Sequence, residues 1–167
     1  MSLRTRLAKA SLALAAGGLA GCGFTPMYAT PGVASDLAGI QVNTPHGRTA
    51  FLLHEALDDD FGRDRDRAPV YRLDLTLAES RYPRGLEQNN TADYYESHLT
   101  VTYRLSRIAD GKVLLTGVAP VEASYAAADQ PYANIAAQEN AEQREADTAA
   151  QHIQIAVGAY FSRPGDH

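Results

Sequence analysis

Cysteine and tryptophan are nearly absent from this chain, which has one Cys and no Trp among its 167 residues. A single Cys excludes an intrachain disulfide, so a folded domain must be stabilised by packing alone. Basic residues are in the minority, with 15 Lys and Arg against 20 Asp and Glu. This acidic balance argues against a nucleic-acid-binding surface, which needs clustered cations. Beyond the N-terminal region, no apolar run reaches the ~20 residues of a transmembrane helix.

The only cysteine closes the one hydrophobic run, which lies near the N-terminus. Three basic residues precede it: Arg4, Arg6 and Lys9. The run Ala10–Ala20 is about ten apolar or small residues, too short to span a bilayer. Small residues followed by Cys are typical of a bacterial lipoprotein signal, which predicts cleavage between Gly21 and Cys22 and acylation of Cys22. The alternatives are an ordinary secretory signal with an incidental Cys and a buried N-terminal helix.

Acylation of Cys22 with diacylglycerol and a fatty acid such as palmitate would hold the mature chain on a membrane without spanning it. Several acyl chains anchor firmly, whereas one is marginal. Gly23 follows, where an Asp would have indicated retention in the inner membrane, so the sequence favours the outer membrane. No other cofactor is expected. The removed segment has three basic residues and no acidic one, which leaves the mature chain at net −8.

The mature chain has the length of a single domain. The predicted division is a signal peptide over 1–21, a lipid-anchored tether over 22–36, one domain over 37–161 and a disordered tail over 162–167. Gly and Pro mark the tether.

Hydrophobic periodicity predicts the elements of that domain. Leu53, Leu57 and Phe61 recur every four residues and indicate a helix over 48–61. Strict alternation indicates a half-buried strand over 70–79 and another through Leu99–Leu105. The other predicted elements are a strand at 37–43, a loop at 80–92, a fourth strand after Asp110-Gly111 and a last helix over about 132–161.

The Asp110-Gly111 dipeptide indicates a β-hairpin, and the side-chain pattern selects its register. A two-residue loop would pair Leu105 with Thr116. A three-residue loop with Gly111 in a left-handed conformation pairs Leu105 with Leu115, Val101 with Ala119 and Leu99 with Val121. The second register places apolar residues on one face throughout, so we favour it.

The order of elements predicts an α+β fold: a two-layer sandwich with a mostly antiparallel sheet of about four strands and two helices on one face. The last helix would be about 45 Å long, while a compact domain of this size has a radius of gyration near 15 Å. Either this helix breaks or the domain is elongated, and we favour an elongated domain because the predicted third and fourth strands are also long. The uncovered sheet face is either solvated or meets a partner; its polar residues are Arg72, Thr76, Thr100, Thr102 and Arg104.

The sequence offers no pattern typical of catalysis or of a metal site. The five histidines are scattered singly: His46, His54, His98, His152 and His167. None has the spacing of a metal-binding pair, and neither a phosphate loop nor a nucleophile elbow is present. We therefore expect a non-enzymatic protein. A hydrolase is the least favoured alternative, since triads assemble from distant positions.

Several segments, in their order and spacing, resemble one protein family. They are Cys22–Tyr28, Tyr71–Ser80, Leu99–Leu105, Asp110–Gly117, Ser124-Tyr125, and Tyr132-Ala133 leading into a helix that ends at Tyr160-Phe161. The chain resembles the lipopolysaccharide-assembly lipoproteins of alphaproteobacteria, the plug partners of the outer-membrane lipopolysaccharide translocon. The resemblance implies a lipid-anchored, periplasm-facing outer-membrane protein that sits inside a large β-barrel, helps it fold and contacts lipopolysaccharide.

Contact with anionic lipopolysaccharide requires local cations, because the domain as a whole is acidic. Arg81 and Arg84 lie in the predicted loop before the third strand, and Arg107 and Lys112 flank the Asp110-Gly111 turn. These are two candidate sites, and ordinary solvated loop charges are the alternative. The rival to the translocon function is a free periplasm-facing module that binds a small amphiphile or an enzyme.

Overall fold

The computed structural model describes residues 32–86, 92–127 and 130–163. The predicted signal peptide, Cys22 and the residues of the predicted tail beyond Arg163 lie outside these described residues. The described elements are α1 (Val33–Ala38), β1 (Ile40–Asn43), α2 (Arg48–Phe61), β2 (Tyr71–Leu86), β3 (Ala92–Arg107), β4 (Val113–Ala126) and α3 (Pro131–Phe161).

The four strands form one sheet in the order β1-β2-β3-β4. β1 is parallel to β2, and the other neighbours are antiparallel. The predicted pairs are confirmed, since Leu105 pairs with Leu115, Val101 with Ala119 and Leu99 with Val121. The loop itself is one residue longer than predicted: the register shifts after Leu105 so that Ser106 pairs with Val113, and the N–H of Arg107 donates to the carbonyl of Lys112 at 2.9 Å. Gly111 has φ 70°, as that register requires. The predicted α+β class is therefore confirmed.

Both central strands are longer than the alternation predicted. Residues 80–92 were predicted to be a loop, but β2 continues to Leu86 and β3 begins at Ala92. Pro83 lies inside β2, where proline normally ends a strand. β1 pairs with β2 only from Tyr71 to Asp74. Beyond Asp74, no described strand pairs with the edge of β2 that faces away from β3. The missing N–H of Pro83 therefore costs no hydrogen bond to a strand on that edge.

The first strand is shorter than predicted, because a helix that the sequence analysis missed precedes it. The prediction placed a strand at 37–43, whereas β1 begins at Ile40 and residues 33–38 form α1. Val33 and Leu37 are spaced i, i+4 and are both 1% exposed. Their burial shows that part of the predicted tether packs against the core.

The helices α2 and α3 cover one face of the sheet. α2 matches its predicted range, and α3 begins one residue before its predicted start. The 31 residues of α3 extend about 46 Å, which matches strands of 16 residues at about 53 Å. The expectation of an elongated domain is thus confirmed. Within the described part of the chain, no helix is both long and apolar enough to span a membrane.

A continuous hydrophobic core fills the space between the two layers. Leucines from α2, β2 and β3 are fully buried there, and α3 contributes mostly small residues. The face of α3 that meets the sheet is buried at Ala146, Ala149, Ala150, Ile153 and Val157. The three alanines let the helix approach the sheet closely, and Ile153 and Val157 fill the core beside them.

Candidate functional site

The four basic residues named from the sequence lie near opposite ends of the sheet. In the pairing of β2 with β3, Arg81 is opposite Ser97, and Arg107 is opposite Tyr71. Ten residues separate these pairs along each strand, which corresponds to about 33 Å. The two pairs of cations therefore form separate surfaces, as their sequence positions indicate.

Arg81 lies on the sheet face that α3 covers. Its Nη1 donates hydrogen bonds to the hydroxyl of Tyr125 at 3.1 Å and to Oε1 of Gln138 at 2.6 Å. Its guanidinium lies 5.2 Å from the ring centroid of Tyr95, and the rings of Tyr95 and Tyr125 stack at 5.4 Å. We call these residues the Arg81 cluster. Both hydrogen-bond acceptors are neutral, and no carboxylate of the described residues forms an ion pair with Arg81.

Arg84 lies on the opposite sheet face from Arg81, which corrects the prediction that the two share one loop. Three residues separate them along a strand, so their side chains point to opposite sides. Arg84 Nε forms an ion pair with Glu96 at 2.6 Å, and its guanidinium lies 5.7 Å from the ring centroid of Tyr82. The carboxylate of Glu96 offsets the charge of Arg84, so Arg84 is the weaker candidate for an anion.

Arg107 and Lys112 belong to the β3–β4 turn, as predicted. Arg107 forms an ion pair with Asp110 at 3.0 Å. The backbone N–H of Lys112 donates to the carboxylate of Asp110 at 3.1 Å. That hydrogen bond, together with the Arg107 charge, holds the pKa of Asp110 below its ordinary value. Among the described residues, the ammonium of Lys112 forms no ion pair.

A buried carboxylate lies beside the Arg81 cluster. Glu145 of α3 is 2% exposed. The hydroxyl of Ser97 donates to its Oε2 at 3.2 Å, while its Oε1 has no hydrogen-bond partner in the part of the chain that the structure describes. Burial raises the pKa of Glu145, and the charges of Glu79 and Glu142 raise it further, against a lowering by the Ser97 hydrogen bond and by His98. A cavity of about 230 Å³ opens nearby between β2, β3, β4 and α3, lined by Glu79, Arg81, Ser97, Tyr125, Gln138 and Glu142 among others.

The Glu145 carboxylate should lower the stability of the domain at neutral pH. Because its folded pKa is raised, the folded protein binds more protons than the unfolded chain. Stability therefore falls as pH rises from the ordinary glutamate pKa through the raised one. We expect Glu145→Gln to increase the free energy of unfolding by about 1 kcal/mol at pH 7, by removing a buried charge with an unmet hydrogen bond.

Urea unfolding at pH 7 and pH 4 checks this prediction. At pH 4 the carboxyl is largely protonated in both states, so the gain should largely disappear. Glu139→Gln is the matched control, because Glu139 lies on the same helix and is half-exposed in its ion pair with Arg48. A Glu145→Gln variant less stable than the wild type at pH 7 would contradict the interpretation.

The sequence analysis missed most residues of the Arg81 cluster, although a signal for them was present. The alternation of β3, extended backwards from Leu99, assigns Ser97 and Tyr95 to the covered face. The predicted strand was begun at Leu99, so these two residues were left outside it. Gln138 and Glu145 lie in the acidic half of α3, where no apolar stripe indicates which face meets the sheet. Their contacts depend on the packing of α3.

The outer face of the sheet is left open by the described elements. As predicted, the side chains of Arg72, Thr76, Thr102 and Arg104 are exposed there, and Thr100 is half-buried. Arg72 pairs with Asp74 at 2.9 Å. At the end of this face farthest from the β3–β4 turn, His98 lies between Glu96 and Glu122, and its Nδ1 is 3.3 Å from the Glu122 carboxylate. Nowhere in residues 32–86, 92–127 and 130–163 do three or more His, Cys, Asp or Glu residues gather as a metal ion would require.

The fold and the surface together define a class: a slender α+β sandwich with one open sheet face and polar, aromatic-lined ends. The chain matches the model of the lipopolysaccharide-assembly (LptE) family over residues 37–157. The chain therefore belongs to this family, and it has a role in lipopolysaccharide assembly. The resemblance noted from the sequence is confirmed.

Solved structures support the same fold. A protein of Caulobacter crescentus CB15 described as a lipoprotein is 34% identical, with a TM-score of 0.70, and the match covers 80% of this chain and 99% of that one. Rare lipoprotein B from Shewanella oneidensis is 16% identical, with a TM-score of 0.55, covering 72% and 92%. Lipoprotein B from Nitrosomonas europaea is 16% identical, with a TM-score of 0.56, covering 74% and 83%. No curated protein matches the chain.

Proposed function

We propose that this protein is a non-enzymatic, lipid-anchored outer-membrane lipoprotein that plugs a large β-barrel lipopolysaccharide translocon and helps it assemble. Its membership of the LptE family is the observation that carries this proposal. The shape of the domain is compatible with this proposal. It is about 50 Å long and only two layers thick, and a long, thin domain fits a wide barrel lumen. The open outer face of the sheet offers a surface for the barrel wall.

We further propose that the protein contacts lipopolysaccharide, and that Arg81 is the principal cation among the four candidates. A guanidinium recognises phosphate by charge-assisted hydrogen bonds. Arg84 and Arg107 are each offset by a carboxylate within 3.0 Å, whereas the hydrogen-bond acceptors of Arg81 are neutral. The neighbouring tyrosines and the cavity beside them supply hydroxyl groups and ring surfaces suited to sugar. Lys112 remains a candidate at the other end.

A pull-down of the tagged, lipidated protein from detergent-solubilised outer membrane tests the plug function. We expect one large β-barrel protein in stoichiometric amount that stays bound through gel filtration. A lipidated protein that elutes alone would overturn the plug function. The preferred function would then be a free periplasm-facing module that binds a small amphiphile or an enzyme.

Arg81→Ala should weaken lipopolysaccharide binding about tenfold or more, since a hydrogen bond to a charged group contributes roughly 1.5–3 kcal/mol. Arg84→Ala is the matched variant on the other face of the same strand. We expect its affinity to change by less than about threefold, because Glu96 already offsets the charge of Arg84. Affinity for lipopolysaccharide in detergent, measured by fluorescence titration at fixed salt, gives both values.

Gln138→Ala separates the charge of Arg81 from its structural contacts. This variant removes the acceptor on α3 and leaves the guanidinium in place. If Gln138→Ala weakens binding as much as Arg81→Ala, Arg81 acts by holding α3 to the sheet. If Arg84→Ala has the larger effect, the assignment of the site to the covered face is wrong.

A further inference from the structure

The burial of β2 changes halfway along the strand. Up to Leu77 its residues alternate between more and less buried positions, but from Ala78 to Gly85 every residue is exposed. β3 pairs with β2 over this stretch and keeps half-buried residues there, among them Tyr95 and Ser97. The second half of β2 is therefore an exposed strand at the edge of the sheet.

The hydrogen bonds at the start of β2 show which of its backbone groups are free. The N–H of Ile108 donates to the carbonyl of Val70 at 3.0 Å. In an antiparallel pair, every second residue bonds to the partner strand, and the residues between them turn their N–H and C=O groups away. The even-numbered residues of β2 therefore bond to β3, whereas Glu79 and Arg81 turn both backbone groups to the outer edge. β1 pairs with β2 only as far as Asp74, so no described strand meets these groups.

The other edge of the sheet, along β4, is interrupted. The N–H of Ala127 donates to the carbonyl of Asp93 at 3.0 Å, so the even-numbered residues in this part of β4 turn outward. Pro120 is one of them and has no N–H to offer. The carbonyl of Ser124 accepts a hydrogen bond from Nη2 of Arg144 at 3.3 Å. A proline and an occupied carbonyl both hinder pairing with a further strand.

The free edge of β2 has no such interruption over five residues. Pro83 is the only proline of this strand, and it ends the free stretch. Ala78–Tyr82 precede it and include the outward backbone groups of Glu79 and Arg81. A long, exposed and uninterrupted edge is a template for pairing with another chain. Of the two edges, β2 is therefore the one suited to an additional strand.

Glu79 determines the charge that an added strand would meet. Its side chain is exposed and forms no ion pair with a described residue. On the same side of the sheet, the carboxylate of Glu142 is offset by Arg48 at 3.1 Å, Glu145 is buried, and the Arg81 guanidinium is bound to neutral acceptors. The cross-strand position opposite Glu79 therefore favours a Lys or an Arg.

We propose that β2 accepts an extended segment of the barrel partner as a fifth strand of the sheet, opposite Ala78–Tyr82. The backbone groups of Glu79 and Arg81 bond to this segment, and a Lys or Arg of the segment faces the Glu79 carboxylate. Strand addition of this kind obtains its affinity from main-chain hydrogen bonds and its specificity from alternate side chains. The inference rests on the proposed barrel partner and adds the place and the mode of its contact. It uses the backbone of Arg81, whereas the proposed lipopolysaccharide contact uses the guanidinium.

Proline substitution at the two edges tests the main-chain contact. Glu79→Pro removes an N–H that faces the free edge. Glu122→Pro is the matched control, because Glu122 is an exposed glutamate of β4 whose N–H also turns outward. Each variant is co-expressed, in lipidated form, with differently tagged wild type, and mass spectrometry gives the ratio of the two in the purified barrel complex. We expect Glu79→Pro to be depleted about tenfold and Glu122→Pro to stay within about twofold of the wild type.

Thermal unfolding of the free, lipidated protein in detergent separates pairing from folding. Ala78 is opposite Thr100 and gives its N–H to β3. Ala78→Pro should therefore lower the unfolding midpoint strongly, and Glu79→Pro should lower it much less, as the native Pro83 at an outward position indicates. An equal loss in the two variants would show that the N–H of Glu79 is already bonded within the chain, which would overturn the proposal.

Glu79→Lys tests the charge and keeps the N–H. It would place two cations opposite each other across the added strand pair, so we expect its share of the barrel complex to fall roughly two- to tenfold. Glu122→Lys, on the other edge, should stay within about twofold of the wild type. Equal shares for Glu79→Lys and the wild type would overturn the assignment of a Lys or Arg to the partner segment.

The wild-type protein distinguishes failure of this inference from failure of the proposed function. If no barrel protein is recovered with it, the plug function is overturned and this inference with it. If the barrel is recovered and Glu79→Pro is incorporated as well as the wild type, strand addition alone is overturned. Light scattering of the free protein tests a second copy as the occupant: a wild-type dimer that Glu79→Pro converts to a monomer would also overturn the proposal.

Discussion

Cys22→Ser should abolish incorporation of labelled fatty acid and remove the contribution of the acyl chains to membrane attachment. A serine hydroxyl cannot form the thioether to diacylglycerol. Each buried CH₂ of an acyl chain contributes ~0.8 kcal/mol, so losing several chains removes tens of kcal/mol of membrane attachment. Metabolic labelling with palmitate, followed by separation of membrane and soluble fractions, measures both effects in one experiment.

Gly23→Ala provides the control for this change, because it alters the neighbouring residue and leaves the thiol intact. It should be labelled like the wild type. Palmitate incorporation is the decisive measurement, since a barrel partner could retain unlipidated protein in the membrane fraction. A wild-type chain that takes up no palmitate would contradict the lipoprotein signal and favour an ordinary secretory signal with an incidental Cys.

Gly117→Ala should lower the free energy of unfolding by about 1–3 kcal/mol, a typical cost of overpacking a core. Gly117 of β4 is paired with Tyr103 of β3. A Cβ at Gly117 would clash with the ring and hydroxyl of Tyr103. Tyr103 is 7% exposed and packs in the core, so the ring has little room to move. Replacing glycine by alanine in a strand otherwise stabilises it by roughly 0.5–1 kcal/mol. A lower free energy of unfolding for Gly117→Ala would therefore indicate the clash with Tyr103.

A double-mutant cycle with Tyr103→Leu isolates the clash. Leucine lacks the far end of the ring, so Gly117→Ala in that background should be neutral or stabilising. Chemical unfolding followed by circular dichroism provides the four free energies. An equal loss in both backgrounds would place the cost in the backbone of β4 and not in its contact with Tyr103.

The surfaces proposed for lipopolysaccharide and for the barrel wall lie on opposite faces of the sheet. The face under α3 carries Arg81, Tyr95 and Tyr125 at the end of the sheet farthest from the β3–β4 turn. The open face carries Arg84 and Glu96 at the same end. A ligand at the Arg81 cluster therefore approaches along the margin between α3 and the sheet, while the open face stays available to a protein partner.

Local patterns in the chain were sufficient for most of the fold. Alternation identified the cores of β2 and β3, and the requirement that apolar residues share one face selected the hairpin register. The four-residue spacing of Leu53, Leu57 and Phe61 identified α2. These predictions succeeded because each signal repeats over several residues and arises from burial on one side of a single element. The six-residue α1 offers less than two turns of such a signal, and it was missed.

The sequence by itself determined the class of fold, the hairpin register, the elongated shape and the family of the protein. Only the tertiary structure decided that Pro83 lies within a strand, that Arg81 and Arg84 lie on opposite faces, and that Glu145 is buried. Each outcome depends on an element distant in the chain. The pairing of β2 with β3 extends the strand through Arg81, Pro83 and Arg84, β1 ends early enough to leave Pro83 on an unpaired edge, and the packing of α3 on the sheet buries Glu145. Side-chain periodicity reports burial along one element, but it carries no information on which charges a second element will cover.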